Sequence, residues 1–115
     1  MKILYENKSA RSQFCSEYSK KWKYPSNVQM KIKAMENYIQ SAESLKDIYT
    51  YKPYRMHSLI GDRKNEWSLS LGNTGYRVTF IPCDDNEKEI TQGDIISQCK
   101  SIKIIKVTEV SNHYE

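Results

Sequence analysis

Three cysteines, three prolines and four glycines are all that the 115-residue chain holds of those types, and no apolar run approaches the roughly 20 residues that cross a bilayer. Cys15, Cys83 and Cys99 are odd in number and far apart, with no C-x-x-C pair, which argues against a disulfide framework or a zinc site and for free thiols. Gly61, Gly72, Gly75 and Gly93 form no phosphate-cradling motif, so no nucleotide cofactor is expected. The opening Met1-Lys2-Ile3-Leu4-Tyr5-Glu6 turns polar too soon for a signal peptide, and the expected location is cytoplasmic. With 38% hydrophobic and 28% charged residues, the expectation is one domain over 1–115 with a modest core and a heavily charged surface.

The net charge of +4 is unevenly spread. Residues 1–83 hold 14 Lys/Arg against 7 Asp/Glu, a balance of +7, whereas residues 84–99 hold one Lys and five acids, a balance of −4. A polyanionic partner fits the basic part. Charge alone fits equally well a small domain that uses Lys and Arg for solubility.

Two periodicities organise the chain. After a short strand at Ile3–Tyr5, Ala10, Phe14, Tyr18 and Trp22 recur every four residues and predict one helix face, ended by Pro25. Ser26-x-x-Gln29 has the capping-box pattern, and Val28, Ile32, Met35, Ile39 and Ala42 predict a second amphipathic helix to about residue 43. From residue 57 the period becomes two: Trp67, Leu69 and Leu71, then Tyr76, Val78 and Phe80, give one apolar face. Gly72-Asn73-Thr74-Gly75 supplies the hairpin turn between them. Ser68, Ser70, Arg77 and Thr79 fall on the opposite face, which is expected to stay open. Residues 84–99 read as an acidic excursion loop, and Ile102 to Val110 as a last strand with a bulge between Ile104 and Ile105. The expected fold is α+β, in the order βααβββ, with an N-terminal helix hairpin on one face of a small, mainly antiparallel sheet.

The segment His57-Ser58-Leu59-Ile60-Gly61-Asp62-Arg63-Lys64-Asn65-Glu66-Trp67-Ser68-Leu69, followed by Tyr76-Arg77-Val78-Thr79-Phe80, resembles the HigB branch of the RelE/ParE toxin superfamily of bacterial toxin-antitoxin pairs. The shared pattern is a leucine and glycine turn, a basic dipeptide, an aromatic-Ser strand, and an Arg shortly before an aromatic on the next strand. The resemblance implies a RelE-like fold and a ribosome-dependent mRNA endonuclease. It also implies a HigA-like helix-turn-helix antitoxin as partner, with operator DNA contacted through that antitoxin. The family usually ends in Asp-Tyr-His, where this chain has Asn112-His113-Tyr114-Glu115.

Cleaving RNA without a metal needs a base for the 2′-hydroxyl, an acid for the leaving oxygen, and cations for the charge on the phosphate. Arg77, aimed at the open face by strand alternation, is the first candidate for gripping the scissile phosphate. Arg63 and Lys64 are candidates for the neighbouring phosphates. The two histidines, His57 and His113, are the candidate bases, and Tyr114 and Asn112 complete the set suggested by the resemblance. No His/Cys/Asp/Glu grouping has ligand spacing, so no metal is expected. Two other readings fit the same chain: a ParE-like inhibitor of DNA gyrase, and a non-enzymatic RNA-binding module in which Tyr49, Tyr51 and Tyr54 stack on bases beside Lys52 and Arg55. The acidic 84–99 excursion is expected either to contact the antitoxin or to shield the basic face.

Overall fold

The structure, a computed structural model, describes residues 1–63 and 65–112. It is an α+β arrangement around one five-stranded mixed sheet of strand order β1-β5-β4-β3-β2. The strands are β1 (Lys2–Tyr5), β2 (His57–Ser58), β3 (Trp67–Ser70), β4 (Tyr76–Cys83) and β5 (Ile104–Asn112), and the helices are α1 (Lys8–Phe14), α2 (Ser26–Ser41), α3 (Leu45–Tyr49) and α4 (Ile95–Gln98). β1 runs parallel to β5, and the other pairings are antiparallel. The element order differs from βααβββ by three short additions, α3, β2 and α4. No helix among the described residues is long and apolar enough to cross a membrane.

The apolar stripes meet as their spacing predicts. Phe14 of α1 and Val28, Ile32, Met35 and Ile39 of α2 are buried against Leu69, Leu71, Val78, Phe80, Ile105, Val107 and Val110 of the sheet. Burying each such side chain contributes roughly 1.5–3 kcal/mol, so this layer dominates the stability. The single helix foreseen from Ala10 to Trp22 is broken, however: α1 stops at Phe14, Cys15 is extended, and Ser16–Lys21 form a 3-10 turn. Trp22 and Tyr24 fold back to stop it. The Trp22 indole N–H donates to the Ser12 carbonyl (2.7 Å) and the Tyr24 hydroxyl to that of Gln13 (3.1 Å), satisfying carbonyls that a helix end leaves unpaired. The capping box is also not formed. α2 starts at Ser26 itself, the backbone N–H groups of Val28 and Gln29 both donate to the Pro25 carbonyl, and the Gln29 amide turns to the Tyr24 carbonyl.

The bulge lies further along β5 than the Ile104-Ile105 step suggests. Thr79 pairs with Glu109 and Phe80 with Val107, leaving Thr108 as the extra residue. Ile104 and Ile105 are both buried without a bulge, on opposite sides of the strand. The bulge matters for the polar face. It lets Val107 and Val110 both point into the core while Thr108 and Glu109 join the other side together.

That other side is only half open. Ser68 and Thr79, expected to face solvent, are buried, whereas Ser70 and Arg77 are half-buried. A polar network laid across Thr79 accounts for part of the cover, and is described below.

The acidic excursion is ordered and docked. Its Cys83–Glu89 bridge, a Glu89 to Lys106 ion pair (3.1 Å) and a second pair between Glu87 and Lys2 fold it onto the far end of the sheet. Asp94 caps α4 by accepting from the backbone N–H groups of Ile96 and Ser97.

Candidate functional site

β2, β3 and β4 place His57 opposite Ser68, and Ser70 opposite Arg77, so alternation puts all four on one face of the sheet. Together with Arg55, Asn73 and Tyr76 they line a cleft of about 470 Å³ that ends at the β3–β4 turn. The turn is narrow because Gly72 (φ 62°) and Gly75 (φ 83°) adopt left-handed backbone angles. Among the described residues, two arginines, one histidine and two serines line the cleft, and no carboxylate does.

Arg77 is the centre of this arrangement. Its Nε is buried and makes no hydrogen bond among the described residues, and the same holds for the hydroxyl of Ser111, its register partner on β5. A buried donor without an acceptor costs about 1–3 kcal/mol. His57 is oriented from below by a local device. Arg55 sits in the left-handed region (φ 49°, ψ 47°), and its carbonyl lies 2.8 Å from His57 Nδ1. A carbonyl only accepts, so Nδ1 carries the hydrogen, and in the neutral ring the lone pair is on Nε2. His57 is exposed, which leaves Nε2 accessible.

Arg63, on the same side of the sheet, has a different environment. Its guanidinium donates to Glu66 through Nε (3.2 Å) and Nη2 (2.8 Å), to the Thr79 hydroxyl (3.3 Å), and pairs with Glu109 (2.8 Å). The Thr108 hydroxyl donates to Glu66 (2.8 Å) and lies 2.6 Å from the Thr79 hydroxyl, so Thr79 donates to Thr108 and the network closes. Burial by itself would raise the Glu66 pKa. The hydrogen bonds from Arg63 and Thr108, with the charges of Arg63 and Arg77, outweigh that and hold it below the usual carboxylate range. Arg63 is thus held in an ion-paired network.

Of the other residues singled out from sequence, Asn112 ends β5 opposite Tyr76 and is exposed. Lys64, His113 and Tyr114 lie outside the described residues. None of residues 84–99 lines the cleft, so the excursion does not cover it. A larger cleft, about 640 Å³ beside β1, contains Glu17 and Glu36 among its lining residues and is less suited to a phosphate. Among the described residues, no three His, Cys, Asp or Glu side chains stand together as a metal site. Cys15, Cys83 and Cys99 are free.

Sequence reasoning passed over two features. The Arg63–Glu66 pair was visible as an i,i+3 spacing in a turn, but Glu109 reaches Arg63 only through the bulge. Arg55 stood in the sequence as a neighbour of the tyrosines, and nothing in its spacing signals the left-handed backbone that brings it into the cleft. A search of family models and of curated proteins finds no match to this chain.

Proposed function

We propose that the protein is a RelE/HigB-like toxin, a metal-independent endoribonuclease that cuts mRNA on the ribosome and is held inactive by a helix-turn-helix antitoxin. The observation that carries this reading is Arg77 with its unpartnered buried Nε in a cleft free of carboxylates, beside a histidine whose Nε2 is exposed. An α+β fold with its helices covering the opposite face of the sheet agrees with the resemblance of residues 57–80 to that family.

In this reading Arg77 and Arg55 hold the scissile phosphate, and stabilise the charge that builds on it as the 2′-oxygen attacks phosphorus. His57 through Nε2, or His113, takes the 2′-hydroxyl proton. The P–O5′ bond breaks, leaving a 2′,3′-cyclic phosphate, and the 5′-oxygen receives a proton from a general acid, for which Tyr114, and His113 where it is not the base, are the candidates. Ser68 and Ser70 line the same cleft. Docking on ribosomal RNA by the basic surface releases counterions, so activity should fall as salt rises.

The test is to add purified protein to a programmed translation reaction and map new mRNA ends by primer extension, with a ribosome-free control and an Arg77→Ala variant. Ends that appear only with ribosomes, persist in excess EDTA with ribosome integrity controlled, and vanish in the variant support the reading. Growth arrest on expression without new mRNA ends overturns it in favour of gyrase inhibition or simple RNA binding.

A further inference from the structure

Beside the cleft around Arg77, across the β3–β4 turn, lies a second recess. This hollow of about 190 Å³ shares Ser70 and Gly72 with the cleft and is walled by Lys31, Tyr51, Pro53 and Tyr54. That is smaller than the roughly 300–1,000 Å³ of a small-molecule pocket, and it opens beside a site already suited to a phosphate. Its wall is built from aromatic rings locked against one another. Tyr51 lies 4.7 Å from Tyr54 at 75° and 5.0 Å from Tyr38 at 35°, and Tyr38 meets Tyr54 edge-on at 5.4 Å. Tyr38 is anchored in turn by its hydroxyl, which donates to the Asp47 carbonyl (3.3 Å). The two backing rings are half-buried, whereas Tyr51 at the outside is 40% exposed. Burial first, and then Tyr51 and Tyr38, push the Tyr54 phenol up to about 12, so it stays neutral.

Lys31 of α2 lines the second recess and reaches the turn that both share. Its side chain crosses the turn so closely that a Cβ on Gly72 would stand 3.0 Å from both its Cε and Nζ. No acid pairs with Lys31 among the described residues, and no acid lines either recess. A rigid exposed ring, a free ammonium and a phosphate grip on adjoining recesses match the repeating chemistry of a single-stranded nucleic acid. There a base stacks on an aromatic face while its backbone meets cations. Tyrosine supplies such a face at a low cost in side-chain entropy, and Tyr38 and Tyr54 have already fixed this one.

We infer that Tyr51, backed by Tyr38 and Tyr54 and flanked by Lys31, is a stacking platform for a nucleobase next to the scissile phosphate, a subsite that positions the RNA and sets its sequence preference. The inference rests on the endonuclease reading for which phosphate is cut, and adds where the neighbouring base goes.

A probe separates the two. An mRNA carrying 2-aminopurine in turn at each position of the decoding-site codon and its neighbours, blocked against cleavage by 2′-O-methyl groups, is presented free and on programmed ribosomes. Wild-type protein should quench the fluorophore at one position. Tyr51→Ala should lose the quench and bind roughly ten- to a hundredfold more weakly, while Tyr51→Phe keeps both. Lys31→Ala should reduce the slope of binding against salt by about one phosphate contact. Arg77→Ala should weaken binding yet retain the quench. If Tyr51→Ala quenches and binds as the wild type does while Arg77→Ala loses binding, the platform is refuted and the phosphate grip stands. If the quench depends on Tyr51 in a protein that never generates mRNA ends, the platform stands and the nuclease reading falls. Failure of the wild type to bind either presentation overturns both.

Discussion

Arg63 and Arg77 lie on the same side of one sheet, yet one is committed and the other is not. Arg63 is engaged by Glu66, Glu109 and Thr79, in a network that the bulge at Thr108 makes possible. Arg77 keeps a buried Nε that, like the Ser111 hydroxyl, has no hydrogen-bond partner among the described residues, in a cleft that no described carboxylate lines. The difference separates structural from functional charge. A satisfied network fixes strand register and covers Thr79, whereas an unsatisfied cation is held in place by its strand and left for a ligand.

The largest expected effect follows from removing the uncommitted cation. Arg77→Ala should lower the rate of mRNA cleavage on programmed ribosomes by roughly 10²–10³, the usual loss for a donor aimed at a developing negative charge. Its melting temperature should stay at or above that of the wild type, since an unmet buried donor is removed with it. His57→Gln comes next. If Nε2 is the base, cleavage should fall by about 10²-fold or more with RNA binding retained, which single-turnover rates and equilibrium binding read separately. Equal cleavage by this variant would assign the proton to His113.

The committed side should respond in stability. Glu66→Gln removes the charge that Arg63 faces, in a group only partly exposed, and should cost about 1–2 kcal/mol in urea unfolding at neutral pH. The sign with pH follows from the lowered Glu66 pKa. Its stabilisation is complete above the ordinary carboxylate range and is lost as pH falls through the depressed folded-state value, so the gap between variant and wild type should close in acid. The smallest effects sharpen the contrast at the level of single hydroxyls. Thr108→Val, which strips a hydroxyl bonded to Glu66, should destabilise by about 1 kcal/mol, and Ser111→Ala, which strips an unbonded one, by less than about 0.5 kcal/mol or not at all. Equal costs in the two would mean that Ser111 is as engaged as Thr108.

The parts of the molecule legible in the sequence are those governed by one repeating geometry. Val28, Ile32, Met35 and Ile39 are buried on one face of α2, and Leu69, Val78 and Phe80 alternate into the core across a hairpin closed by the Gly72–Gly75 turn. The same alternation placed Arg77 on the polar face beside Ser70. What stayed hidden depends on tertiary partners. The continuation of α1 through Tyr18 and Trp22 has good helical spacing, but Trp22 and Tyr24 turn back to cap its carbonyls instead. Ser68 and Thr79 look solvent-facing, and only a bulge in a strand some thirty residues further on brings Thr108 and Glu109 over Thr79. The acidic excursion reads as unstructured because its order comes from Lys2 and Lys106, which no local pattern reveals. Within the site, Arg77 was legible as a residue on a strand, and His57 only as a residue type ahead of the strand pair. The left-handed Arg55 that orients His57 was not, nor was Lys31, which reaches the turn from a helix.

The most direct measurement crosses the two arginines. Arg63→Ala and Arg77→Ala are each assayed for urea unfolding and for mRNA cleavage on programmed ribosomes. Arg63→Ala should lose stability and keep cleavage per folded molecule, while Arg77→Ala should keep stability and lose cleavage. Wild-type cleavage by Arg77→Ala, or loss of cleavage in both variants in step with unfolding, would contradict the division between a committed and an uncommitted cation.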